Sequence, residues 1–197
     1  MKVLIACESS GTVRRAFRER GHDAWSADIL PADDHDKFHI EGDVTELLKP
    51  QYRWDLMIGH PPCTRLANSG VSWLHRRNLW DDLDRACEFF LALWSAPIPR
   101  IALENPIMHK HARQRICVDY AQIVQPWQFG HPESKATCLW LKGLPKLKET
   151  NNVKHIFDTL PDNERQRLHY LPPSKDRWKE RSKTFDGIAK AMASQWG

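Results

Sequence analysis

The chain has 197 residues, of which 41 % are hydrophobic and 27 % are charged, and its net charge is +4. This length and composition predict one globular domain and exclude a disordered chain. The longest apolar run, residues 89–94, is too short to span a bilayer. Glu8 interrupts the apolar N-terminus before the core of a signal peptide can form, so we expect no membrane contact and a cytoplasmic location.

The five cysteines are an odd number, and no two form a Cys-x-x-Cys pair. This pattern argues against a disulfide framework and a structural zinc site, and it predicts reduced thiols. The acidic segment 33–36 with His39 is interpreted as a solvated loop, so no metal site is predicted. Residues 142–190 carry twelve Lys/Arg and seven Asp/Glu. Such a basic segment indicates either a partner that bears phosphates or a solvated lysine-rich surface.

The first part of the chain has the pattern of a strand, a helix and a second strand. Residues 2–6 form a short apolar run that ends at a polar turn, and apolar residues follow at helical spacing over 13–17. Gly21 is predicted to end this helix, and residues 23–28 are predicted to form the second strand. A βαβ unit of this kind implies a parallel sheet with a right-handed crossover.

The same alternation continues along the chain. Asp81 is predicted to cap the helix that follows it, and residues 142–178 lose the pattern and are expected to form loops. The sequence therefore predicts a single catalytic domain, residues 1–197, of α/β class with a doubly wound, mostly parallel sheet and a small irregular insertion at about 145–178. The further predicted strands are near 38–40, 54–59, 100–103, 121–124 and 136–141, and the helices near 45–48, 81–94, 112 and 185–196.

Four of the predicted strands end in polar or proline-rich segments. Ligands of doubly wound sheets bind beyond the carboxyl ends of the strands, so these segments are expected to meet on one rim. Their coincidence, more than any one of them, predicts a functional site. The segments are Glu8–Gly11, Asp28, His60–Cys63 and Glu104–Pro106.

The first of these turns lacks the Gly-x-Gly-x-x-Gly pattern of dinucleotide-binding proteins. Ser10 and Gly11 are expected to offer backbone amides to a carboxylate, and Glu8 suits an ammonium group. A ligand with both charges, such as the methionine moiety of S-adenosylmethionine, fits this turn, and Asp28 is placed to bind ribose hydroxyls. The alternative is an ordinary capped turn before a helix.

The third segment contains Pro61 and Pro62, which stiffen the backbone after a buried strand. Cys63 is therefore expected to be held at the rim and partly exposed, either as a nucleophile activated as thiolate or as a structural cysteine in a proline turn. In the fourth segment Glu104 is interpreted either as an acid or hydrogen-bond partner whose pKa the cleft raises, or as a solvated carboxylate at a strand end.

Together these segments resemble the cytosine carbon-5 DNA methyltransferases. The Pro-Cys nucleophile of that family and its following Glu-Asn match Gly59–Cys63 and Leu103–Pro106. Gly42–Val44 is similar to the family's Gly-Asp-Ile segment near the adenine, and Phe129–Glu133 is similar to its Tyr-Gly-x-Pro-Gln. The short length is similar to that of phage-encoded forms, which act in the host cytoplasm.

The resemblance implies a Rossmann-like fold that binds S-adenosylmethionine and methylates cytosine at carbon 5, with DNA as the expected partner. Cys63 adds to carbon 6 of the base and Glu104 hydrogen-bonds or protonates N3; a target in duplex DNA must first leave the base stack. The residues expected against the cofactor are Glu8, Ser9, Ser10, Gly11, Asp28, Ile29, Asp43, Val44, His60, Pro61, Lys183 and Thr184. Those expected against the substrate are Pro62, Arg65, Asn105, Lys135 and Thr137.

Three departures from the family pattern leave the substrate and the transferred group open. Thr137 replaces the arginine that reaches the cytosine carbonyl, and the insertion is too short for a full target-recognition domain. Lys183 lies where the family has Gly-Asn-Ser-Val, so carboxy-S-adenosylmethionine is an alternative donor. The alternative functions are modification of a free pyrimidine nucleotide, transfer of a group such as carboxymethyl, and an inactive nucleic-acid-binding relative.

Overall fold

A seven-stranded β-sheet runs through the centre of the computed structural model, which describes residues 1–197. Its strands are β1 (Lys2–Ala6), β2 (Asp23–Asp28), β3 (His39–Glu41), β4 (Leu56–Gly59), β5 (Arg100–Pro106), β6 (Gln122–Val124) and β7 (Thr137–Lys142). Their order in the sheet is β3-β2-β1-β4-β5-β7-β6. The pairs among β1 to β5 are parallel, and β7 is antiparallel to both of its neighbours. The predicted doubly wound, mostly parallel sheet is confirmed.

Helices lie on both faces of this sheet and at its edge. None of them is both long enough and apolar enough to cross a membrane. The helices are α1 (Thr12–Glu19), α2 (Val71–Arg77), α3 (Trp80–Trp94), α4 (Lys110–Ile116), α5 (Lys154–Phe157), α6 (Asp162–Arg165), α7 (Arg167–Tyr170), α8 (Arg177–Ser182) and α9 (Asp186–Trp196). Short 3₁₀ turns occur at Val44–Leu48, Pro50–Tyr52, Asn68–Gly70 and Pro126–Gln128.

The sheet has an apolar layer on each face. Within β1, Leu4 belongs to the layer that packs against Phe90 of α3, and its neighbours Val3 and Ile5 belong to the layer that packs against Phe17 of α1. Helix α9 completes the second layer beside α1. Strands that are buried on both faces have continuous apolar sequences, which explains why the run at residues 2–6 shows no alternation.

Strand β5 is three residues longer than the sequence predicts, because it continues from Leu103 to Pro106. Its last residues pair with the first half of the antiparallel strand β7, in the register Glu104 with Leu139 and Asn105 with Cys138. This pairing depends on a strand far along the chain, so the local pattern did not indicate it. Glu104 is therefore held within the sheet rather than in a loop after it.

Helix α3 begins one residue before the predicted capping residue. Leu79 precedes its first turn, so Asp81 lies inside that turn, where a carboxylate interacts favourably with the helix dipole. The ring of Trp80 packs edge-on against His75 and His111, at centroid distances of 4.9 and 5.2 Å. Trp80 is the first helical residue and Leu79 the capping residue, so the prediction of Asp81 as the cap is wrong.

The segment predicted as loops contains four short helices, α5 to α8, of four to six residues each. Leu168 is the only buried residue within them. Ion pairs at the surface, such as that between Lys154 and Asp158 at 2.7 Å, stabilise these short helices. A one-turn helix with at most one buried residue has no apolar periodicity, which is why the sequence did not indicate these elements.

Candidate active site

The carboxyl ends of β2, β1, β4 and β5 lie next to one another along one edge of the sheet. Pairing continues just beyond the strands, since the amide of Glu8 donates to β2 at 3.2 Å and the amide of His60 donates to β1 at 2.9 Å. Gly59 pairs with Leu103 in the parallel register. The next residues, His60 and Glu104, are therefore neighbours. The expectation that the four strand ends meet on one rim is confirmed.

Cys63 is exposed, and the backbone of its loop is held from two sides. Its carbonyl oxygen accepts hydrogen bonds from the amides of Leu66 and Ala67, at 3.0 and 2.9 Å. From the neighbouring strand, the buried side-chain amide of Asn105 donates to the carbonyl oxygen of Pro61 at 2.7 Å. The thiol thus lies at the surface on a backbone that buried contacts fix in place.

The carboxylate of Glu104 is nearly buried and contacts the imidazole of His60. Nδ1 of His60 lies 3.2 Å from Oε2 of Glu104, and the two side chains are 13 % and 10 % exposed. The hydroxyl of Thr184 donates to the same oxygen at 3.4 Å. Oε1 of Glu104 has no hydrogen bond within the protein and remains available to a ligand.

Burial alone would raise the pKa of the Glu104 carboxyl, but the pairing with His60, aided by Lys135 and Thr184, lowers it to about 2. Burial disfavours the charged form of His60, yet Glu104 and Glu8 raise its pKa above the ordinary value of 6.5. The sequence predicts either an acid with a raised pKa or a solvated carboxylate at Glu104. Both expectations are wrong, because the carboxylate is buried and the imidazolium keeps it ionised.

The Cys63 thiol is subject to charges of both signs. Loss of solvent is the largest influence and raises its pKa, as does the charge of Glu104, while the charges of Lys135 and Arg181 lower it. The net effect is a pKa above the ordinary value, so the thiol of the free protein is protonated and the predicted activation as thiolate is wrong. The ammonium of Lys135 is fixed, since it donates to the backbone carbonyl of Lys183 at 2.9 Å. One cation therefore acts on both the thiol and the carboxylate, and a cation so placed can stabilise negative charge that develops beside them.

On the other half of the edge, the buried carboxylate of Glu8 caps helix α1. Oε1 accepts from the amide of Val13 at 2.7 Å, and Oε2 accepts from the amide of Arg14 at 3.2 Å. A ligand carboxylate at Ser10 and Gly11 would therefore lie close to an anion of the protein. The pairing of Glu8 with a ligand ammonium stays a prediction, and the negative charge at this turn favours it.

Asp28 and Asp43 both act on the half-buried thiol of Cys7. Burial, followed by these two charges, raises the pKa of Cys7 to about 12, so this cysteine stays protonated. Each aspartate uses Oδ1 to accept a backbone amide two residues further on, at 3.0 and 2.9 Å. The adjacent side chain of Ile29 is 76 % exposed. This part of the edge offers carboxylate oxygens beside an uncovered apolar surface.

Some residues expected against a ligand have partners within the protein. Thr137 is buried in β7 and donates to the carbonyl oxygen of Lys135 at 3.1 Å, so it does not project as the family's arginine would. Arg65 forms an ion pair with α3 at 3.3 Å, and Lys183 forms one with α8 at 3.0 Å. Of the other predicted residues, Val44 is buried, Ser9, Ser10 and Gly11 form the turn before α1, and Pro62 is an exposed residue of the Cys63 loop.

Sequence reasoning missed two features of the site. It assigned His60 to the cofactor and did not predict its contact with Glu104. It also left out Arg181 of α8, whose charge acts on Cys63. A histidine directly before the proline turn was a signal for the first feature, since parallel strands bring their following residues together. Nothing local indicated the second.

No protein-family model matches the chain, and no curated protein matches it. Three solved structures are similar to it. A protein described as a DNA modification methyltransferase encoded within a prophage of E. coli has a TM-score of 0.48 and 19 % identity, over 82 % of this chain and 56 % of that one. The Entamoeba histolytica methyltransferase EhMeth has a TM-score of 0.50 and 17 % identity, over 88 % and 63 %. The S. pombe Dnmt2 methyltransferase has a TM-score of 0.46 and 16 % identity, over 90 % and 61 %.

The chain thus spans less than two thirds of the length of each of these structures. The similarity to EhMeth concerns the fold alone. Together with the strand order and the antiparallel β7, it identifies the Rossmann-like fold of S-adenosylmethionine-dependent methyltransferases. The fold class predicted from the sequence is confirmed.

Proposed function

We propose that this protein transfers a methyl group from S-adenosylmethionine to carbon 5 of cytosine in DNA, through a covalent adduct with Cys63. The observation that carries the proposal is the placement of an exposed thiol and a buried carboxylate, Glu104, on neighbouring strand ends. Lys135 acts on both groups. The fold supports the proposal, since EhMeth, a protein of similar fold, is named a methyltransferase.

The residues at the ends of β1 and β2 suit S-adenosylmethionine. Asp28 keeps one carboxylate oxygen free of hydrogen bonds for ribose hydroxyls, and the exposed side chain of Ile29 offers apolar contact to an adenine ring. The negative charge of Glu8 favours the ammonium of the methionine moiety. When bound, this cofactor supplies an electrophilic methyl group. The ammonium of Lys183 is paired with Glu180, so no free cation at this position favours a carboxylated donor.

Cys63 acts as the nucleophile in this proposal. Its sulfur adds to carbon 6 of the cytosine ring, which makes carbon 5 nucleophilic, and loss of the carbon-5 proton after methyl transfer releases the sulfur. Glu104, held ionised by His60, accepts a hydrogen bond from the exocyclic amine at position 4. Uracil and thymine have a carbonyl acceptor there, so an ionised Glu104 selects cytosine. Lys135 supplies positive charge beside the ring while negative charge develops on it.

A basic surface on and around α8 supports a nucleic-acid substrate. Arg181 of this helix lies close enough to Cys63 to influence the thiol, so the surface borders the site. Trp178 is 52 % exposed and offers a face on which a base can stack. Lysine and arginine side chains bind the phosphates of the backbone without reading the sequence. The cations of this surface without an acidic partner are Lys175, Arg177 and Arg181, while Lys179 and Lys183 are paired with Asp33 and Glu180.

Transfer of labelled methyl groups from S-adenosylmethionine tests the proposal. We expect incorporation into DNA as 5-methylcytosine and none into free deoxycytidine monophosphate. Cys63→Ser removes incorporation, whereas Cys117→Ser is the matched control, because Cys117 is also exposed but lies at the end of α4. Incorporation that survives Cys63→Ser, or that occurs only on the free nucleotide, would contradict the proposal.

A further inference from the structure

The imidazole of His60 has an unsatisfied hydrogen-bonding capacity at a buried position. Nδ1 lies 3.2 Å from Oε2 of Glu104, but neither ring nitrogen makes a regular hydrogen bond within the protein. Buried polar groups are almost always satisfied, and the exceptions call for an explanation such as a ligand or a role in catalysis. Contacts of catalytic groups are often loose in the free protein and tighten when the substrate binds.

Charged and polar groups from four elements face this imidazole or its partner. Glu104 at the end of β5 and Glu8 after β1 favour the imidazolium form of His60, and Lys135 before β7 opposes it. Thr184 before α9 donates to Glu104 and carries no charge. Two carboxylates thus oppose one ammonium. The pair of His60 and Glu104 holds one proton, on the imidazole, to a higher pH than an ordinary histidine would.

An ionised Glu104 cannot by itself protonate a base. A carboxylate and N3 of neutral cytosine are both acceptors, so a hydrogen bond between them needs an additional proton. Addition of Cys63 to carbon 6 moves electrons onto N3 and makes it strongly basic. The proton next to the carboxylate at that moment is the one on His60.

We infer that His60 is a positioning residue that stores the proton which Glu104 passes to N3 of cytosine while Cys63 adds to carbon 6. The inference rests on the proposed function. The thiol proton of Cys63 leaves to solvent, and the thiolate pair forms the bond to carbon 6. The C5–C6 π pair moves to C4–C5, and the C4–N3 π pair becomes a lone pair on N3. N3 takes a proton from Glu104, which takes one from the imidazolium, so the imidazole ends neutral and Glu104 ends ionised.

Nitrogen NMR of the imidazole groups tests the stored proton without any reaction. In the free wild-type protein we expect His60 to titrate above 6.5, its ordinary value. In Glu104→Gln the partner charge is absent while the burial remains, so His60 is expected to titrate below 6.5. His60→Gln identifies the signal. A wild-type His60 that titrates at or below the ordinary value overturns the inference.

Release of tritium from DNA that contains [5-³H]cytosine, without a methyl donor, tests delivery of the proton. The adduct with Cys63 exchanges the carbon-5 hydrogen with solvent, so release reports addition alone. In the His60→Gln variant, the carboxyl of Glu104 must hold the proton itself, and the protonated fraction of a carboxyl falls about tenfold with each pH unit above its pKa. The ratio of the wild-type rate to the His60→Gln rate is therefore expected to rise by up to about tenfold per pH unit between pH 6 and 8. A purely structural role of His60 predicts a ratio that is the same at every pH, which would overturn the inference.

His22→Gln is the control, because His22 lies before β2 at the opposite edge of the sheet, and its pH profile is expected to match the wild type. His60→Asn provides a second variant if His60→Gln is not folded by circular dichroism. A wild-type protein that releases no tritium overturns the inference together with the proposed function. A wild type that releases tritium with a ratio independent of pH overturns the inference alone.

Discussion

The two halves of the functional edge use their carboxylates in different ways. On the side of β1 and β2, Glu8 and Asp28 bond to backbone amides within six residues of their own positions. On the side of β4 and β5, Glu104 has side-chain partners from other elements, His60 and Thr184, the second of them 80 residues away. The half proposed for the cofactor is thus built by local turns, and the half proposed for the chemistry is built by tertiary packing.

Replacement of one carboxylate on each side gives the largest expected contrast. Glu104→Gln is expected to lower methyl incorporation by about 10²–10⁴-fold, the usual contribution of an acid–base group. Glu8→Ala removes the cap of two helical amides and is expected to lower the free energy of unfolding by about 1–2 kcal/mol, while adduct formation at Cys63 persists. Kinetics and urea denaturation of both variants measure the contrast. The proposed difference between the two sides is contradicted if Glu104→Gln keeps its methyltransferase activity or if Glu8→Ala is as stable as the wild type.

The amide of Asn105 gives the next largest effect, because it holds the loop of Cys63 through Pro61. Asn105→Ala is expected to lower kcat by up to about a hundredfold, since a small displacement of a reacting group has that effect. The binding of the cofactor, which depends on the other half of the edge, is expected to change little. Asn152→Ala removes an exposed amide contact and is the matched control. An unchanged kcat in Asn105→Ala would show that the loop does not need this contact.

The ion pair of His60 and Glu104 predicts a particular dependence of stability on pH. The lowered pKa of Glu104 stabilises the folded state above its ordinary value of 4.5, and this stabilisation is lost as the pH falls toward about 2. The raised pKa of His60 stabilises the folded state below 6.5, and this is lost as the pH rises through the folded value. Both contributions are therefore present between 4.5 and 6.5.

Urea denaturation of wild type and Glu104→Gln at pH 5.5 and pH 9 measures this dependence. The wild type is expected to exceed the variant in free energy of unfolding by more at pH 5.5 than at pH 9, because the imidazolium is lost at the higher value. An equal difference at both pH values would mean that the two side chains do not form a charged pair.

Thr184 is expected to give the smallest effect. Its hydroxyl lies 3.4 Å from Glu104, at the long end of the hydrogen-bond range. Thr184→Val retains the shape of the side chain and is expected to lower kcat by about threefold or less. Steady-state kinetics measure this change. A loss greater than tenfold with a raised KM for the donor would instead support the cofactor contact that the sequence predicts for Thr184.

Much of this architecture could be predicted from the sequence, because apolar runs that end in polar segments mark parallel strands. The parallel register follows from the βαβ pattern, so the meeting of Cys63 and Glu104 at one edge could be anticipated from their positions after two predicted strands. The family resemblance added the chemical roles proposed for these two residues.

The contacts between side chains could not be predicted in the same way. The position of His60 against Glu104 depends on side-chain conformations and on burial, which no local pattern encodes. The last residues of β5 are strand only because β7 pairs with them. The charge of Arg181 acts on the thiol from a segment of short helices without apolar periodicity. Local sequence patterns therefore indicate the turns of one half of the edge, whereas the side-chain contacts of the other half depend on packing.

The central claim is that the sulfur of Cys63 bonds to carbon 6 of cytosine. Its most direct measurement is the mass of the protein after incubation with S-adenosylmethionine and DNA that contains 5-fluorocytosine, which has no carbon-5 proton to lose. We predict a stable covalent complex whose linked peptide contains Cys63, present in Cys117→Ser and absent in Cys63→Ser. A protein that methylates ordinary DNA but forms no such complex, or forms it through another residue, would contradict the claim.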